Sequence, residues 1–331
     1  MELNKVQRAA YELIQSDARF LYTITNIWKN AKNIESNYLM MYQPYLGVFV
    51  DGARQWCDKV GLSAPHLNEV EIKYYSVLRN GHKFLEKSYD EVSELLVKEL
   101  IKSDRHFYKI RSLREIIFGY DNVGADICNN KYCGNTLLCA MYNPINVIEN
   151  EEAGPLIKKL SIIAGKIAAF FGCKCFPPYK YNENIIVSYK DYHFFNKCPL
   201  NLKNELGVVL FCLLCSINYV IIFIEDYFIE NIPQKFKFAY LQYYYLYSFI
   251  QEINRKWKTN LFLDSTLYNR RFRNCLAHYG LGQLLVEKDV VSDDILKGLT
   301  NKAFNMEYHL VKKILYGYLK DLTNQIEKYI F

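Results

Sequence analysis

The segment around which this chain is organised is residues 269–280, which read Asn269-Arg270-Arg271-Phe272-Arg273-Asn274-Cys275-Leu276-Ala277-His278-Tyr279-Gly280. It holds three arginines and one of only six histidines in the sequence. Four residues separate Arg273 from His278, and Asn274 directly follows the arginine, which gives the pattern R-N-x-x-x-H. An imidazole exchanges a proton near neutral pH, and a guanidinium stays charged and binds two phosphate oxygens at once. The segment therefore places a titratable group close to a phosphate-binding group.

These two side chains suffice in principle to cleave RNA without a metal ion. The histidine acts on the 2′-hydroxyl or on the leaving oxygen, and the arginine stabilises the charge that develops on the phosphorus. Helical geometry adds a constraint, because positions five apart point about 140° away from each other. Arg273 and His278 of one chain are therefore not expected to lie side by side. Two copies of the helix across a two-fold axis bring four such groups together, so the spacing predicts a composite site at a homodimer interface.

The pattern resembles the R-x(4–6)-H signature of HEPN ribonucleases, in which a polar residue, often Asn, commonly follows the Arg. The pair Arg273 and His278 matches with four intervening residues, and Arg271 and His278 match the six-residue variant. The resemblance covers about residues 200–331. It implies a helical bundle, dimerisation with both motifs at the interface, and metal-independent RNA cleavage that leaves a 2′,3′-cyclic phosphate. It also implies a bacterial toxin or antiphage effector, with an antitoxin or a regulatory ligand as a further partner.

On this interpretation the catalytic residues are Arg273, Asn274 and His278. We expect His278 to act as general acid or base, Arg273 to bind the phosphate, and Asn274 to orient either group. Arg270 and Arg271 are expected to contact the RNA backbone. The chemistry requires neither a metal ion nor a cofactor, and the expected partner is RNA and not DNA. The alternative interpretation is a non-catalytic helical module that binds RNA or a protein.

The composition favours a folded, cytoplasmic protein. The chain has 331 residues, of which 51% are hydrophobic, so a large core is expected. The net charge of +6 permits a nucleic-acid partner without requiring one. Among ten cysteines, Cys212, Cys215 and Cys275 lie in apolar helical patterns, where a free thiol behaves as a small hydrophobic group. Because the amphipathic start of the chain does not resemble a signal peptide, a reducing cytoplasm is expected.

One apolar stretch competes with that localisation. Residues 207–224 read GVVLFCLLCSINYVIIFI, 18 residues without a charge, which is the lower limit of a membrane span. Ser216 and Asn218 interrupt the stretch, and Glu225 and Asp226 follow it. A helix buried in a soluble bundle is the favoured interpretation, and a membrane segment is the alternative.

The first region, residues 1–120, is predicted to be a helical module with a regulatory or substrate-selecting role. Apolar residues recur there at helical spacing. Helices are expected near residues 51–60 and 88–101, and the second begins with the capping-box pattern of Ser88 and Glu91.

The second region, residues 121–200, is predicted to connect the other two. The composition of residues 119–135 shifts to Gly, Asn, Asp and Cys, which indicates a loop or a boundary between regions. An apolar helix is expected from Pro155 to about Gly172, and residues 185–187 are a candidate short strand before a linker. The candidate zinc ligands are Cys128, Cys133, Cys139, Cys173 and Cys175. Their spacing matches no common zinc motif, so the sequence leaves a metal site open without favouring it.

The third region, residues 201–331, is predicted to be an antiparallel, HEPN-like helical bundle. Helices are expected at about 202–230, 233–258 and 306–329, and the motif helix between the last two should end at the glycines 280 and 282. The predicted fold class is therefore all-α, with a C-terminal bundle preceded by a mainly helical N-terminal region.

Overall fold

The computed structural model describes residues 2–35, 40–107, 122–142, 153–172, 175–193, 205–291 and 294–331. Most of these residues are helical, which confirms the predicted mainly helical class, but a small sheet is also present. The helices are α1 Lys5–Ile24, α2 Ile27–Asn30, α3 Gln43–Val60, α4 Glu69–His82, α5 Tyr89–Phe107, α6 Thr136–Tyr142, α7 Ala153–Phe170, α8 Glu205–Tyr227, α9 Pro233–Trp257, α10 Arg270–His278, α11 Ile295–Phe304 and α12 Tyr308–Ile330. The strands are β1 Asn33–Ile34, β2 Asn122–Cys128, β3 Lys131–Asn135 and β4 Ile186–His193.

The helices predicted in the first region are confirmed. α1 begins at a capping box in which the side chains of Asn4 and Gln7 each accept a hydrogen bond from the other residue's backbone N–H. α3 includes the predicted segment 51–60 and begins earlier, with a proline in its first turn. α5 starts after the expected capping box, in which the carboxylate of Glu91 accepts a hydrogen bond from the backbone N–H of Ser88 at 3.0 Å.

A four-stranded sheet shows that the all-α prediction is wrong. It also replaces the loop predicted within residues 122–135, while residues 119–121 lie outside the described residues. The strand order is β1-β4-β2-β3; β2 pairs antiparallel with both β3 and β4, and β1 pairs parallel with β4. Asn129 and Asn130 form the two-residue turn between β2 and β3, with φ angles of 50° and 59°. Asparagine tolerates this left-handed conformation, so a composition typical of loops here builds a tight hairpin. The candidate strand at 185–187 is confirmed and extends further, as Ile186–His193.

The long apolar helix α8 lies in the interior. It is long and apolar enough to cross a membrane, but 89% of its most apolar 18-residue window is buried within the protein. That degree of burial resembles a core helix of a soluble protein. A π-helical segment, Tyr219–Ile224, lies near its C-terminal end. The predicted start of this helix at residue 202 lies outside the described residues.

The C-terminal helices follow their predicted bounds. α9 begins at Pro233 and ends at Trp257, where Lys258 adopts the left-handed conformation with φ 52°. α12 buries the stripe that includes Val311, Leu315 and Leu319. α9 contacts α8, α10 and α12, and a further helix, α11, packs between the motif helix and α12. These contacts place α10 against the centre of the C-terminal helices.

The buried apolar residues form one continuous core. It extends from Val6 in α1 to Ile330 at the end of α12 and includes residues of all three predicted regions. The ring centroid of Phe238 in α9 lies 5.0 Å from that of Phe20 in α1 and 3.9 Å from that of Tyr45 in α3. The first region thus packs directly on the third, and the boundaries at 120 and 200 stay predictions.

Candidate active site

The motif helix α10 is fixed through its apolar side. The side-chain oxygen of Asn269 accepts a hydrogen bond from the backbone N–H of Phe272 at 3.1 Å and so caps the first turn. The ring of Phe272 is fully buried, and its centroid lies 4.6 Å from that of Tyr240. The helix ends at His278 because Tyr279 adopts the left-handed conformation, with φ 54°, before the glycines predicted to end it. His278 therefore lies on the last turn of the helix.

Helix α3 from the first region packs closely against α10. Gly52 permits this approach, because a side-chain carbon at that position would clash with the backbone carbonyl oxygen of Ala277. The contact brings the next turn of α3, with Gln55, Trp56 and Lys59, to the motif helix. The first region thus forms one wall of the site, although no local feature of its sequence indicates this contact.

A cleft of about 590 Å³ lies beside α10. It is lined by Gln55, Trp56, Lys59, Lys83, Glu86, Arg270, Arg273, Asn274, His278, Gly280 and Gln283. The cleft therefore includes four of the five residues predicted for the site. The fifth, Arg271, does not line it and is exposed to solvent.

The structure changes the expected relation between Arg273 and His278. The spacing predicts that they need a second chain to meet, but both line the cleft of a single chain. On an ideal helix the two positions are still about 140° apart, with Arg270 and Asn274 between them. The cleft is wide enough to span this whole face, so the four residues share one cavity. A second chain is not needed to bring an imidazole and a guanidinium to it.

The cleft is predominantly positive. Among the described residues that line it, the cations are Lys59, Lys83, Arg270 and Arg273, and the one carboxylate is Glu86. A concave surface of this charge attracts a phosphate backbone. Lys59 and Lys83 were missed by sequence reasoning because ordinary lysines of the first region gave no signal of proximity to α10.

Arg273 is constrained by its neighbours. Its side chain is 14% exposed, and one terminal nitrogen lies 3.8 Å from a carboxylate oxygen of Glu86. The guanidinium carbon lies 5.0 Å from the ring centroid of Tyr244 and 5.6 Å from that of Tyr245, within cation–π range. Its Nε atom is buried and has no hydrogen-bond partner in the described part of the chain. The side chain is thus held in place while it keeps an unused donor.

His278 is half-buried, and its Nδ1 atom is buried without a hydrogen-bond partner among the described residues. Burial lowers the pKa of the imidazole, and the positive charge of Arg273 lowers it further. Asp51 acts in the opposite direction, while Arg79 and Lys83 add to the lowering of this pKa. The neutral imidazole therefore predominates at neutral pH, and it can accept a proton.

A buried polar network holds the residue that follows His278. The hydroxyl of Tyr279 donates to Oδ2 of Asp17 at 2.5 Å and accepts from Nζ of Lys237 at 3.1 Å. Lys237 also donates to Oδ2 of Asp17 at 2.5 Å, and Gln234 donates to its Oδ1 at 3.0 Å. All four side chains are buried. The network joins α1 and α9 to the end of the motif helix.

One feature of the sequence indicates this network. Lys237 stands between Phe236 and Phe238 in a helix that is otherwise mostly apolar and aromatic. A charge buried in such a place needs a partner. The sequence did not show which residue supplies it, because Asp17 is 220 positions away.

The described residues contain no group of three or more His, Cys, Asp or Glu side chains that could hold a metal ion. Of the cysteines considered as zinc ligands, Cys128, Cys133 and Cys139 are buried free thiols and Cys175 is an exposed one. Cys173 lies outside the described residues.

The side chains of the cleft can bind a phosphodiester and move a proton. The cations attract the phosphate, and the half-buried neutral imidazole of His278 is suited to remove a proton from a hydroxyl group beside it. No protein-family model, curated protein or solved structure matches this chain.

Proposed function

We propose that this chain is a metal-independent endoribonuclease of the HEPN type that works as a homodimer. The proposal is carried by one observation: a single cleft gathers Arg273 and His278 with further cations, and each of the two has a buried polar atom without a partner in the described part of the chain. Buried polar atoms are normally paired. Unpaired atoms on both motif side chains favour a functional role over a purely structural one.

The proposed reaction begins at the 2′-hydroxyl of the RNA. The neutral imidazole of His278 accepts the hydroxyl proton, and the 2′-oxygen attacks the adjacent phosphorus. The bond from phosphorus to the 5′-oxygen breaks, which leaves a 2′,3′-cyclic phosphate and a 5′-hydroxyl on the two fragments. The leaving oxygen takes up a proton from water. Arg273 stabilises the negative charge that develops on the phosphoryl oxygens.

The other predicted residues have supporting roles. Asn274 lies between the two reacting side chains along the helix face and orients one of them or the phosphate. Arg270 lines the cleft and binds a neighbouring phosphate, and Arg271, which is exposed, binds the RNA outside the cleft. The C-terminal helices form the proposed HEPN-like bundle. In the cell the protein is proposed to be a cytoplasmic toxin or antiphage effector, controlled by an antitoxin or a regulatory ligand.

Incubation of the purified protein with total RNA tests the activity. We expect discrete fragments with 2′,3′-cyclic phosphate ends in the presence of a chelator, and their loss in His278→Ala and Arg273→Ala. The matched control is His309→Ala, because His309 is an exposed histidine of α12 outside the cleft. Thermal unfolding of each variant verifies that it is folded. Cleavage that requires an added metal ion would contradict the proposed chemistry.

The same experiment addresses the alternative of a binding module. Arg273 already has Glu86 and two tyrosine rings as neighbours, which is also how a structural arginine would be held. If the folded protein binds RNA in a gel-shift assay but releases no fragments, the module is the better description.

A further inference from the structure

A second groove continues from the cleft. It has a volume of about 550 Å³ and shares Trp56, Lys59, Gly280 and Gln283 with the cleft. Its other walls come from the start of α1, from α3 and from residues 281–287. An RNA strand whose phosphate lies in the cleft therefore reaches this groove with an adjacent nucleotide.

The groove differs from the cleft in its chemistry. Of the described residues that line it, only Lys59 and Glu287 are charged, and most of the others are apolar. Three amide side chains, those of Asn4, Gln7 and Gln283, interrupt the apolar surface. An apolar site with a few amides suits a nucleobase, because its faces are apolar and its edges carry hydrogen-bond donors and acceptors.

These amide side chains keep hydrogen-bonding groups that are available to a ligand. The carbonyl oxygens of Asn4 and Gln7 accept the capping-box hydrogen bonds of α1, so their NH₂ groups remain as donors towards a ligand. Gln283 is exposed, and its side chain makes no hydrogen bond to any residue that the structure describes. The groove thus presents donors at one end and a free amide at its junction with the cleft.

We infer that this groove binds the base and ribose of the nucleotide next to the cleaved phosphate, and that it gives the protein a preference among bases. The inference rests on the proposed function, because it takes the cleft as the phosphate site. Lys59 stands at the junction, where it faces the phosphate that links the two nucleotides. The volume falls within the range of about 300–1,000 Å³ that is typical of small-molecule sites, which allows room for a nucleoside.

A larger side chain at position 282 can fill the groove without changing the cleft. Gly282 lines the groove but not the cleft, and a side-chain carbon built there meets open space. The substitution Gly282→Leu therefore occupies the base site and leaves the cleft unchanged. Gly317→Leu is the matched control, since Gly317 is an exposed glycine of α12 that also has open space around it.

The experiment measures binding rather than cleavage, so that it stands apart from the test of the enzyme. Fluorescence anisotropy with short oligomers of adenosine, cytidine or uridine gives three affinities in the His278→Ala background. We expect at least one oligomer to bind several-fold more tightly than another. Adding Gly282→Leu should remove that preference and weaken the best oligomer by on the order of tenfold, consistent with the loss of one bound base. Adding Gly317→Leu should change neither quantity.

A second variant tests the groove independently of whether Gly282→Leu folds. Gln7→Glu keeps the capping box, because glutamate serves at that position as well as glutamine does, and the new charge lies favourably at a helix N-terminus. It replaces a donor of the groove by a carboxylate, so the base preference should weaken while the thermal unfolding temperature is maintained.

The outcomes test the groove as a base site separately from the proposed endoribonuclease activity. A base preference that Gly282→Leu abolishes and Gln7→Glu weakens supports the groove, even if the wild-type protein cuts no RNA. Equal affinity for all three oligomers, or a preference that survives both substitutions, overturns the groove as a base site, even if cleavage is observed.

Discussion

The pKa of His278 is lowered, so its imidazole is predicted to act as a base at a lower pH than an ordinary histidine does. Burial and the charge of Arg273 both lower the pKa of its imidazole, so the imidazolium loses its proton below the ordinary value of about 6.5. We expect kcat/KM for a short RNA to rise with pH and to level off once the imidazole is neutral, with a midpoint below that value. An NMR titration of the imidazole in the free protein measures the same midpoint without reference to activity.

Two charge substitutions should move this midpoint in opposite directions. Lys83→Met removes a cation that lowers the pKa of His278, so the midpoint should rise. Asp51→Asn removes a carboxylate that raises the pKa, so the midpoint should fall further. A midpoint at or above the ordinary histidine value in the wild-type protein, or shifts of the same sign in both variants, would contradict this account of the site.

We predict that Glu86 competes with RNA for Arg273. Its carboxylate lies 3.8 Å from the guanidinium and is the one negative charge among the described residues of the cleft. Glu86→Gln should therefore tighten RNA binding. Because the pair is partly exposed to solvent, the gain should be limited to about 1 kcal/mol, or about fivefold in affinity. Binding measured by anisotropy in the His278→Ala background, at low and at high salt, gives the change.

A charge-matched control separates the local effect from a general one. Glu69→Gln removes an exposed carboxylate from α4 outside the cleft and changes the net charge by the same amount. If Glu69→Gln tightens RNA binding as much as Glu86→Gln does, the competition for Arg273 is refuted, and only long-range charge is left to explain the gain.

Among the elements, the end of α10 depends on the ion pair between Asp17 in α1 and Lys237 in α9. Asp17→Asn leaves the buried ammonium of Lys237 without its counter-ion and should destabilise the protein by about 3–5 kcal/mol. The double variant Asp17→Asn with Lys237→Met removes both charges and should recover most of that loss, because an apolar replacement of a buried pair is often tolerated. Urea unfolding of the two single variants and the double variant measures the coupling.

The same double variant shows whether the network only stabilises the fold or also positions the imidazole of His278. The network holds Tyr279, the residue after His278, so its loss should lower kcat for RNA cleavage while KM stays nearly constant. A double variant that regains full stability and full kcat would show that the network only stabilises the fold. Recovery of stability without recovery of kcat would support its role in holding the imidazole.

The elements themselves could be predicted where one local rule governed them. The capping box predicts the start of α5, Pro233 predicts the start of α9, and the apolar residues that recur at helical spacing predict α12. The hairpin of β2 and β3 was not predicted, since its two-residue turn of Asn129 and Asn130 gives the same composition as a loop. The glycines 280 and 282 predict a later end for α10 than His278, where the helix ends because Tyr279, rather than a glycine, adopts the left-handed conformation.

At the scale of the whole molecule, half of the cleft could not be predicted from the sequence. The residues of α10 are near one another in the chain, so their spacing alone suggested a site. Lys59 reaches the same cavity because α3 packs on α10 where Gly52 meets Ala277. Lys83 directly follows α4, which packs against α3, and nothing local in the sequence indicates either contact. The first region is therefore part of the candidate site in this fold and not only an attachment to it.

In a dimer, the arginine and the histidine of a working site come either from two chains or from one. Two kinds of mixed dimer contain the same groups, one functional arginine and one functional histidine. In the first, one chain carries Arg273→Ala and the other carries His278→Ala, so that the two groups come from different chains. In the second, one chain is intact and the other carries both substitutions. Co-expression with two different tags and two-step purification yields each mixed dimer free of homodimers.

The two mixed dimers test opposite arrangements. A composite site that takes the guanidinium from one chain and the imidazole from the other is complete only in the first dimer, and this is the result that the proposed homodimeric enzyme predicts. A site formed within one chain is complete only in the second dimer. The structure also supports this arrangement, because both residues line one cavity of a single chain. Cleavage of a short RNA by the second dimer alone would therefore refute the composite site while leaving the proposed chemistry of Arg273 and His278 intact. Cleavage by the first dimer alone would show that the face spanned by these residues is half of a larger site, and that the cleft acquires its full function when a second α10 helix faces it.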